Sequence, residues 1–104
     1  MAILQVITAK KAGSAFATME EAQTVYTTDA QAGAIRDKYI AALNNLEFNV
    51  EVDLDVDTQT LRYQRTWDEA AYNTFSSANN AARASAKVNA EAAGWTVTES
   101  ISTI

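Results

Sequence analysis

The chain has 104 residues, a formal net charge of −5, and no histidine, cysteine or proline. This length fits one domain, and the missing side chains exclude Ser-His-Asp and Cys-His triads, disulfides, and zinc sites built from His or Cys. Acid–base chemistry would fall to carboxylates, Lys or Tyr. The composition therefore favours a non-enzymatic protein, and it predicts no catalytic residue, cofactor or metal site.

The acidic balance also limits the partners. Nucleic-acid affinity comes from clustered Lys and Arg, and the eight cations of this chain are scattered, so direct nucleic-acid binding is not expected. An anionic membrane surface is disfavoured for the same reason, and no apolar stretch approaches the roughly 20 residues of a membrane helix. Residues 1–9 are typical of a strand and not of a signal peptide. We therefore expect a cytoplasmic protein, or one carried in a virion.

The first strand is predicted over residues 3–9, which are rich in β-branched side chains. Its two faces are both partly apolar, with Ile3 and Ile7 on one and Leu4 and Val6 on the other. Apolar side chains on both faces are typical of a central strand.

Residues 10–28 leave two interpretations open. Thr18 begins a capping box that predicts a short helix ending near Tyr26. Alternatively, residues 15–17 pair back on the first strand as a hairpin.

A second capping box begins at Thr28 and predicts a helix that runs to about Leu46. Its apolar stripe at helical spacing consists of Ile35, Tyr39, Leu43 and Leu46. Gly33 lies in the first turns, so either the helix begins late or another element packs closely there.

A β-hairpin follows. Phe48, Val50, Val52, Leu54 and Val56 alternate with polar residues, and so do Leu61, Tyr63, Arg65 and Trp67. Such alternation predicts two half-buried strands. A tight turn at Thr58-Gln59 would place Asp55 opposite Arg62 and Leu54 opposite Tyr63.

A third capping box, at Thr66, predicts a long Ala-rich helix, which Gly94 ends. Its expected buried side carries Tyr72, Phe75, Ala82 and Ala86, and residues 76–80 are weak helix formers that could break it. Residues 95–104 predict a last strand. The resulting order, βαββαβ, is the ferredoxin-like one: an α+β fold with a four-stranded antiparallel sheet, two helices on one face, and the first and third strands in the middle.

The most distinctive surface feature is an acidic row formed by Glu51, Asp53, Asp55 and Asp57, with Arg62 and Gln64 on the neighbouring strand. Its spacing matches the start of a calcium loop, but Thr58 and Gln64 stand where that loop needs Gly and Glu. The row is interpreted as a solvated sheet face, with a weak metal site or a mimic of nucleic-acid phosphates as alternatives. These six residues form a candidate interaction surface.

A candidate pocket is formed by Arg65, Tyr63 and Trp67. Arg65 lies in the apolar phase of its strand, so it either binds an anion in a pocket or reaches water near the strand end or stacks on Trp67.

The stretch from Leu61 to Phe75, LRYQRTWDEAAYNTF, resembles a strand-to-helix passage of the antibiotic-monooxygenase-like dimeric α/β-barrel proteins. That resemblance implies the ferredoxin-like order and a dimer closed through the sheet face, and it carries over no catalytic residue. The acidic, Thr- and Ser-rich outer face departs from the family. In its composition the chain also resembles small tailed-phage proteins.

Three functions compete at this point. The first is a non-enzymatic interaction or structural module, of phage origin if the compositional resemblance holds, with an unknown protein partner. The second is a small dimeric barrel protein that binds or transforms an apolar small molecule. The third is an acidic decoy for a nucleic-acid-binding protein. Because 21 residues of the chain are alanine, we expect a core with few large apolar side chains. Burial against a second copy would add to it, so a homodimer is predicted for each of the three functions.

Overall fold

The structure is a computed structural model that describes residues 1–46 and 50–104. These residues form four strands and three helices. The elements are β1 (Ala2–Lys11), α1 (Met19–Ala30), α2 (Gly33–Leu46), β2 (Val50–Asp55), β3 (Thr60–Asp68), α3 (Glu69–Ala92) and β4 (Trp95–Thr103). The class is α+β, as the sequence predicts. The predicted positions of Phe48 and Asn49 lie outside the described residues.

The sheet is open and antiparallel, with the strand order β2-β3-β1-β4. The prediction of four antiparallel strands with β1 and β3 in the middle is confirmed. The element order is β-αα-ββ-α-β, because two helices, not one, separate β1 from β2. The predicted ferredoxin-like order, βαββαβ, is therefore not matched exactly.

All three helices pack on the same face of the sheet. Tyr26 of α1 contacts Tyr63, whereas Tyr39 of α2 and Tyr72 of α3 both contact Trp67. Tyr63 and Trp67 are four residues apart on β3, so they point to one face. The prediction of two helices on one face thus becomes three helices on one face.

The break between α1 and α2 follows from one left-handed residue. Thr18 caps α1 by accepting a hydrogen bond from the Glu21 amide, so the predicted helix start is confirmed and the hairpin of residues 15–17 is wrong. The predicted end near Tyr26 is also wrong, because α1 continues to Ala30. Gln31 adopts φ 52° and ends the helix. Thr28 is therefore inside α1 and begins no helix. Because α2 begins at Gly33, with open space around that glycine, the late start is the correct alternative.

The hairpin register differs from the predicted one by two residues. Arg62 lies opposite Asp53, Leu54 opposite Leu61, and Asp55 opposite Thr60. A two-residue turn of the favoured type needs positive φ at its central residues, and only Gln59 has it, at 55°. The chain forms a four-residue loop over residues 56–59 instead. The faces are as predicted, since Leu54 packs against the core and Asp53 and Asp55 are exposed.

Helix α3 is continuous over its 24 residues, so residues 76–80 do not break it. Its N-cap is Asp68 and not Thr66, because β3 continues through Asp68. Gly94, at φ 98°, follows the last residues of the helix as predicted. Of the four residues expected on the buried side, only Ala82 is exposed; Arg83 takes the inward position instead.

Candidate functional site

The other face of the sheet is covered by none of the described elements. Leu4 and Val6 of β1 lie near its middle and are half-buried by their neighbours alone. Uncharged polar residues surround them: Gln64 and Thr66 of β3, and Ser100 and Ser102 of β4. Thr8 and Thr98 continue the row as a cross-strand pair whose hydroxyls are in contact. We call this surface the open face.

The predicted acidic row lies along one border of the open face. Glu51, Asp53 and Asp55 are exposed on β2, the edge strand, whereas Asp57 lies in the turn. Arg62 binds Asp53 with two hydrogen bonds, of 3.0 and 2.9 Å. The Asp55 carboxylate accepts hydrogen bonds from the amides of Asp57 and Thr58 at 3.0 and 3.2 Å, and so holds the turn.

In the acidic row, Arg62 thus neutralises one carboxylate, that of Asp53, and the carboxylate of Asp55 stabilises the turn. No group of three or more acidic, His or Cys side chains that could hold a metal ion occurs in residues 1–46 and 50–104. The structure brings five of the six predicted surface residues onto the open face, with Asp57 beside it.

Arg65 is buried, with 6% of its surface exposed. Little of its surface reaches water, and the rings beside it are not that of Trp67: its guanidinium carbon lies 4.1 Å from the ring centre of Tyr39 and 5.1 Å from that of Tyr63. Burial lowers the pKa of Arg65, and the nearby tyrosines oppose that shift. Its Nη1 has no hydrogen-bond partner among the residues described. Arg65 thus lies on the core-facing side of β3, as its strand phase predicts, and the interpretation that its guanidinium extends into water is wrong.

The three residues of the predicted pocket are not among the residues that line the neighbouring cavity. Trp67 is fully buried and donates from Nε1 to the Gln5 side-chain oxygen at 2.9 Å. Burial also raises the pKa of Tyr63.

A cavity of about 240 Å³ lies beside these residues, on the helix-covered side of the sheet. Residues from β1, all three helices and β4 line it, including Ile7, Tyr26, Ile35, Tyr39, Arg83 and Glu99.

A polar network closes the inner wall of this cavity. Gln5, which is fully buried, donates from Nε2 to Glu99 at 2.8 Å. Arg83 donates to the Tyr39 hydroxyl at 2.8 Å and to the Ser76 hydroxyl at 2.8 Å, and it also binds Glu99.

The pKa values of two residues that line the cavity, Arg83 and Tyr26, depart from their ordinary values. Burial alone would lower the pKa of Arg83, but Tyr39, Glu99 and Tyr72 around it raise it above its ordinary value. Burial raises the pKa of Tyr26 to about 12, with the neighbouring tyrosines adding to the shift. Both groups therefore keep one protonation state across the physiological range.

Sequence reasoning missed Gln5, Arg83 and Glu99. Gln5 shares the strand phase of Ile3 and Ile7, and a polar residue in an apolar phase is the signal that would have found it. Arg83 falls on the same helical stripe as Phe75 and Ala86.

Comparisons of this chain with protein-family models, with curated proteins and with solved structures find no match. The resemblances to dimeric α/β-barrel proteins and to small phage proteins therefore stay predictions. Among the residues described, no helix has the length and apolar character needed to cross a membrane.

Proposed function

We propose that this protein is a non-enzymatic interaction module that binds a second copy of itself through its open face. The observation that carries the proposal is the position of Leu4 and Val6. They are apolar, they lie on a central strand, and they are on the side of the sheet that no described helix covers. Burying them against a second copy would remove this apolar surface from water.

The composition of the open face supports an interface. Its centre is apolar or uncharged, whereas the carboxylates of Glu51, Asp53 and Asp55 lie along the β2 edge. Interfaces commonly have a centre depleted of charge and a polar rim. The centre of the open face can therefore be desolvated while the acidic row lies at the rim of the interface.

The size of the face fits a second copy. Strands of ten, nine, nine and six residues, about 4.8 Å apart and with about 3.4 Å per residue, give about 550 Å². Two copies would bury on the order of 1,100 Å², just above the roughly 1,000 Å² that a specific interface needs. We therefore expect a dimer that dissociates on dilution.

The acidic row limits how two copies can be arranged. A stacking that laid β2 over the partner's β2 would bring like charges together, which is unfavourable. Crossed sheets, or a two-fold axis along the strands, avoid that contact. In the latter arrangement the acidic row lies over the Thr- and Ser-rich β4 of the second copy.

The test compares two valine substitutions. Val6 is half-buried on the open face, and Val88 is 63% exposed on α3. Light scattering after size exclusion, at high micromolar concentration, should give wild type and Val88→Lys a mass approaching twice 11.3 kDa. Val6→Lys should stay near 11.3 kDa, with an unchanged circular dichroism spectrum.

Two results would overturn the proposal. One is a wild-type protein that stays monomeric at high micromolar concentration. The other is a Val6→Lys variant that dimerises as wild type does, since the interface would then be the β4 edge or the Ala-rich surface of α3.

A further inference from the structure

The cavity between the sheet and the helices has two kinds of wall. Ile7, Ile35 and Val97 supply an apolar part, and Tyr39, Arg83 and Lys87 supply hydrogen-bond donors. Its volume of about 240 Å³ is below the ~300–1,000 Å³ of pockets that hold drug-sized ligands. An occupant would therefore be a small organic molecule with one apolar part and one polar group.

The charge around the cavity is positive, although the whole chain is acidic. Arg83 and Lys87 line it, and the buried guanidinium of Arg65 lies 4.1 Å from the Tyr39 ring centre, behind the wall. Glu99 is the carboxylate among the lining residues, and it is already paired with Arg83. Lys87 forms no ion pair within 4.0 Å in the described part of the chain. The excess of cations favours an anion.

The Tyr39 hydroxyl has an unused donor. It accepts hydrogen bonds from Arg83 Nε at 2.8 Å and from Gln5 Nε2 at 3.4 Å. Both partners donate, so the phenolic proton needs an acceptor of its own, and residues 1–46 and 50–104 supply none. Tyr39 is 7% exposed and lines the cavity. A buried donor without an acceptor is unfavourable, and an oxygen of a ligand would remove that cost.

We propose that the cavity binds a small organic monocarboxylate. The carboxylate accepts a hydrogen bond from the Tyr39 hydroxyl and pairs with the Lys87 ammonium group, and the apolar part packs between Ile7, Ile35 and Val97. A dianion such as phosphate is disfavoured for two reasons. Glu99 repels two negative charges more strongly than one, and phosphate has no apolar part to contact the apolar walls. This site lies on the opposite side of the sheet from the open face, so it does not depend on self-association.

The experiment follows backbone amide signals by nitrogen-15 NMR during titration with benzoate and with 3-methylbutyrate. Both acids should cause saturable shifts in residues 83–87 and 97–99. Benzamide should bind at least about fivefold more weakly, because it lacks the charge that an ion pair needs. Benzylammonium should cause no saturable shift there.

Two lysine variants localise the effect. Lys87→Gln should weaken benzoate binding by about threefold to fivefold, which corresponds to the upper part of the range for an exposed ion pair. Lys38→Gln, exposed on α2 and not among the residues that line the cavity, should leave it unchanged. Tyr39→Phe, checked for folding by the same spectra, should also weaken binding.

Three outcomes would overturn the proposal. The first is the lack of saturable shifts with both acids up to about 20 mM, well above a millimolar dissociation constant. The second is equal affinity for benzoate and benzamide, or unchanged affinity in Lys87→Gln, which would indicate a neutral apolar pocket. The third is a set of shifts confined to the open face.

Discussion

Arg62 on β3 binds Asp53 on β2 through two parallel hydrogen bonds, from Nε at 3.0 Å and from Nη2 at 2.9 Å. Such bidentate geometry is directional and defines which residues lie opposite each other. The partner is Asp53 and not Asp55, because the strand register places Asp53 opposite Arg62 and Asp55 opposite Thr60. The Asp55 carboxylate accepts hydrogen bonds from the amides of the turn. Asp53 therefore pairs across the two strands, and Asp55 stabilises the loop.

The first prediction concerns this pair. Both side chains are about half exposed, so a double-mutant cycle of Asp53→Ala with Arg62→Ala should give a coupling of about 0.2–1 kcal/mol. The same cycle with Asp55→Ala should give a coupling near zero. By contrast, Leu61→Ala should cost roughly 2–5 kcal/mol, because Leu61 is fully buried and leaves a cavity. Urea unfolding measures the two coupling energies and the cost of Leu61→Ala. Coupling of Arg62 to Asp55 instead of Asp53 would indicate the two-residue turn at Thr58-Gln59.

Periodicity is sufficient to predict the strands and their faces, and the right-handed crossover rule gives their order. Leu61, Tyr63 and Trp67 alternate with polar residues, and their phase alone places them against the helices. The capping box at Thr18 also found its helix. At Thr28 the same motif failed, because the carbonyls of Thr27 and Thr28 accept hydrogen bonds from Ala32 and Gln31 at the end of α1. A left-handed glutamine is uncommon, so the sequence does not indicate where α1 stops.

The cavity was less predictable than the sheet. Its network joins Gln5, Arg83 and Glu99, which are far apart in the chain, and pair contacts at such separation leave no local pattern. Arg65 was noticed because its strand phase is apolar, but its environment depends on how α2 packs. Burial of a cation between Tyr39 and Tyr63 is a tertiary property that periodicity does not describe.

The second prediction tests Gln5 as the buried link of that network. Gln5→Leu removes the acceptor of the Trp67 indole N–H, which lies in a fully buried residue. Leaving that donor unpaired should lower the free energy of unfolding by about 1–3 kcal/mol. Gln64→Leu, on the open face, should change it by less than about 0.5 kcal/mol. Chemical unfolding at low protein concentration makes the comparison, and equal effects would mean that the Gln5 amide is not engaged.

The third prediction uses the two glutamines with positive φ, Gln31 at 52° and Gln59 at 55°. Gln31→Gly should raise the free energy of unfolding by about 0.5–1 kcal/mol, because glycine adopts this conformation without strain. Gln59→Gly should be destabilising, since the Gln59 side chain accepts from the Phe16 amide at 2.6 Å and donates to the Phe16 carbonyl at 3.1 Å. The Tm of Gln31→Gly should rise and that of Gln59→Gly should fall. If both move in the same direction, either the strain at Gln31 or the contribution of the Gln59 side-chain hydrogen bonds is not as described.

The last prediction concerns Asp29, which joins α1 to the end of β1 and the start of β4. Its carboxylate accepts hydrogen bonds from Lys11 Nζ at 2.7 Å and from Trp95 Nε1 at 2.9 Å. Asp29 lies in the last turn of α1, where the helix dipole disfavours a negative charge. The bond from Lys11, and then that from Trp95, nevertheless hold the pKa of Asp29 below its usual range.

Because that folded-state pKa is lowered, the stability that ionised Asp29 contributes is present above its unfolded pKa, which is about 3.9 for aspartate. It is lost as the pH falls through the lower folded-state value. Asp29→Asn should therefore be less stable than wild type in urea at pH 7, and the difference should shrink when both proteins are unfolded well below pH 4. Asp37→Asn is the control, because Asp37 is exposed and, among the residues described, its carboxylate pairs at 3.5 Å with an exposed side chain, that of Arg36. Its effect should therefore be small at either pH. A stability difference for Asp29→Asn that stays constant from neutral to acid pH would show that the Lys11 and Trp95 bonds act on the shape of the side chain and not on its charge.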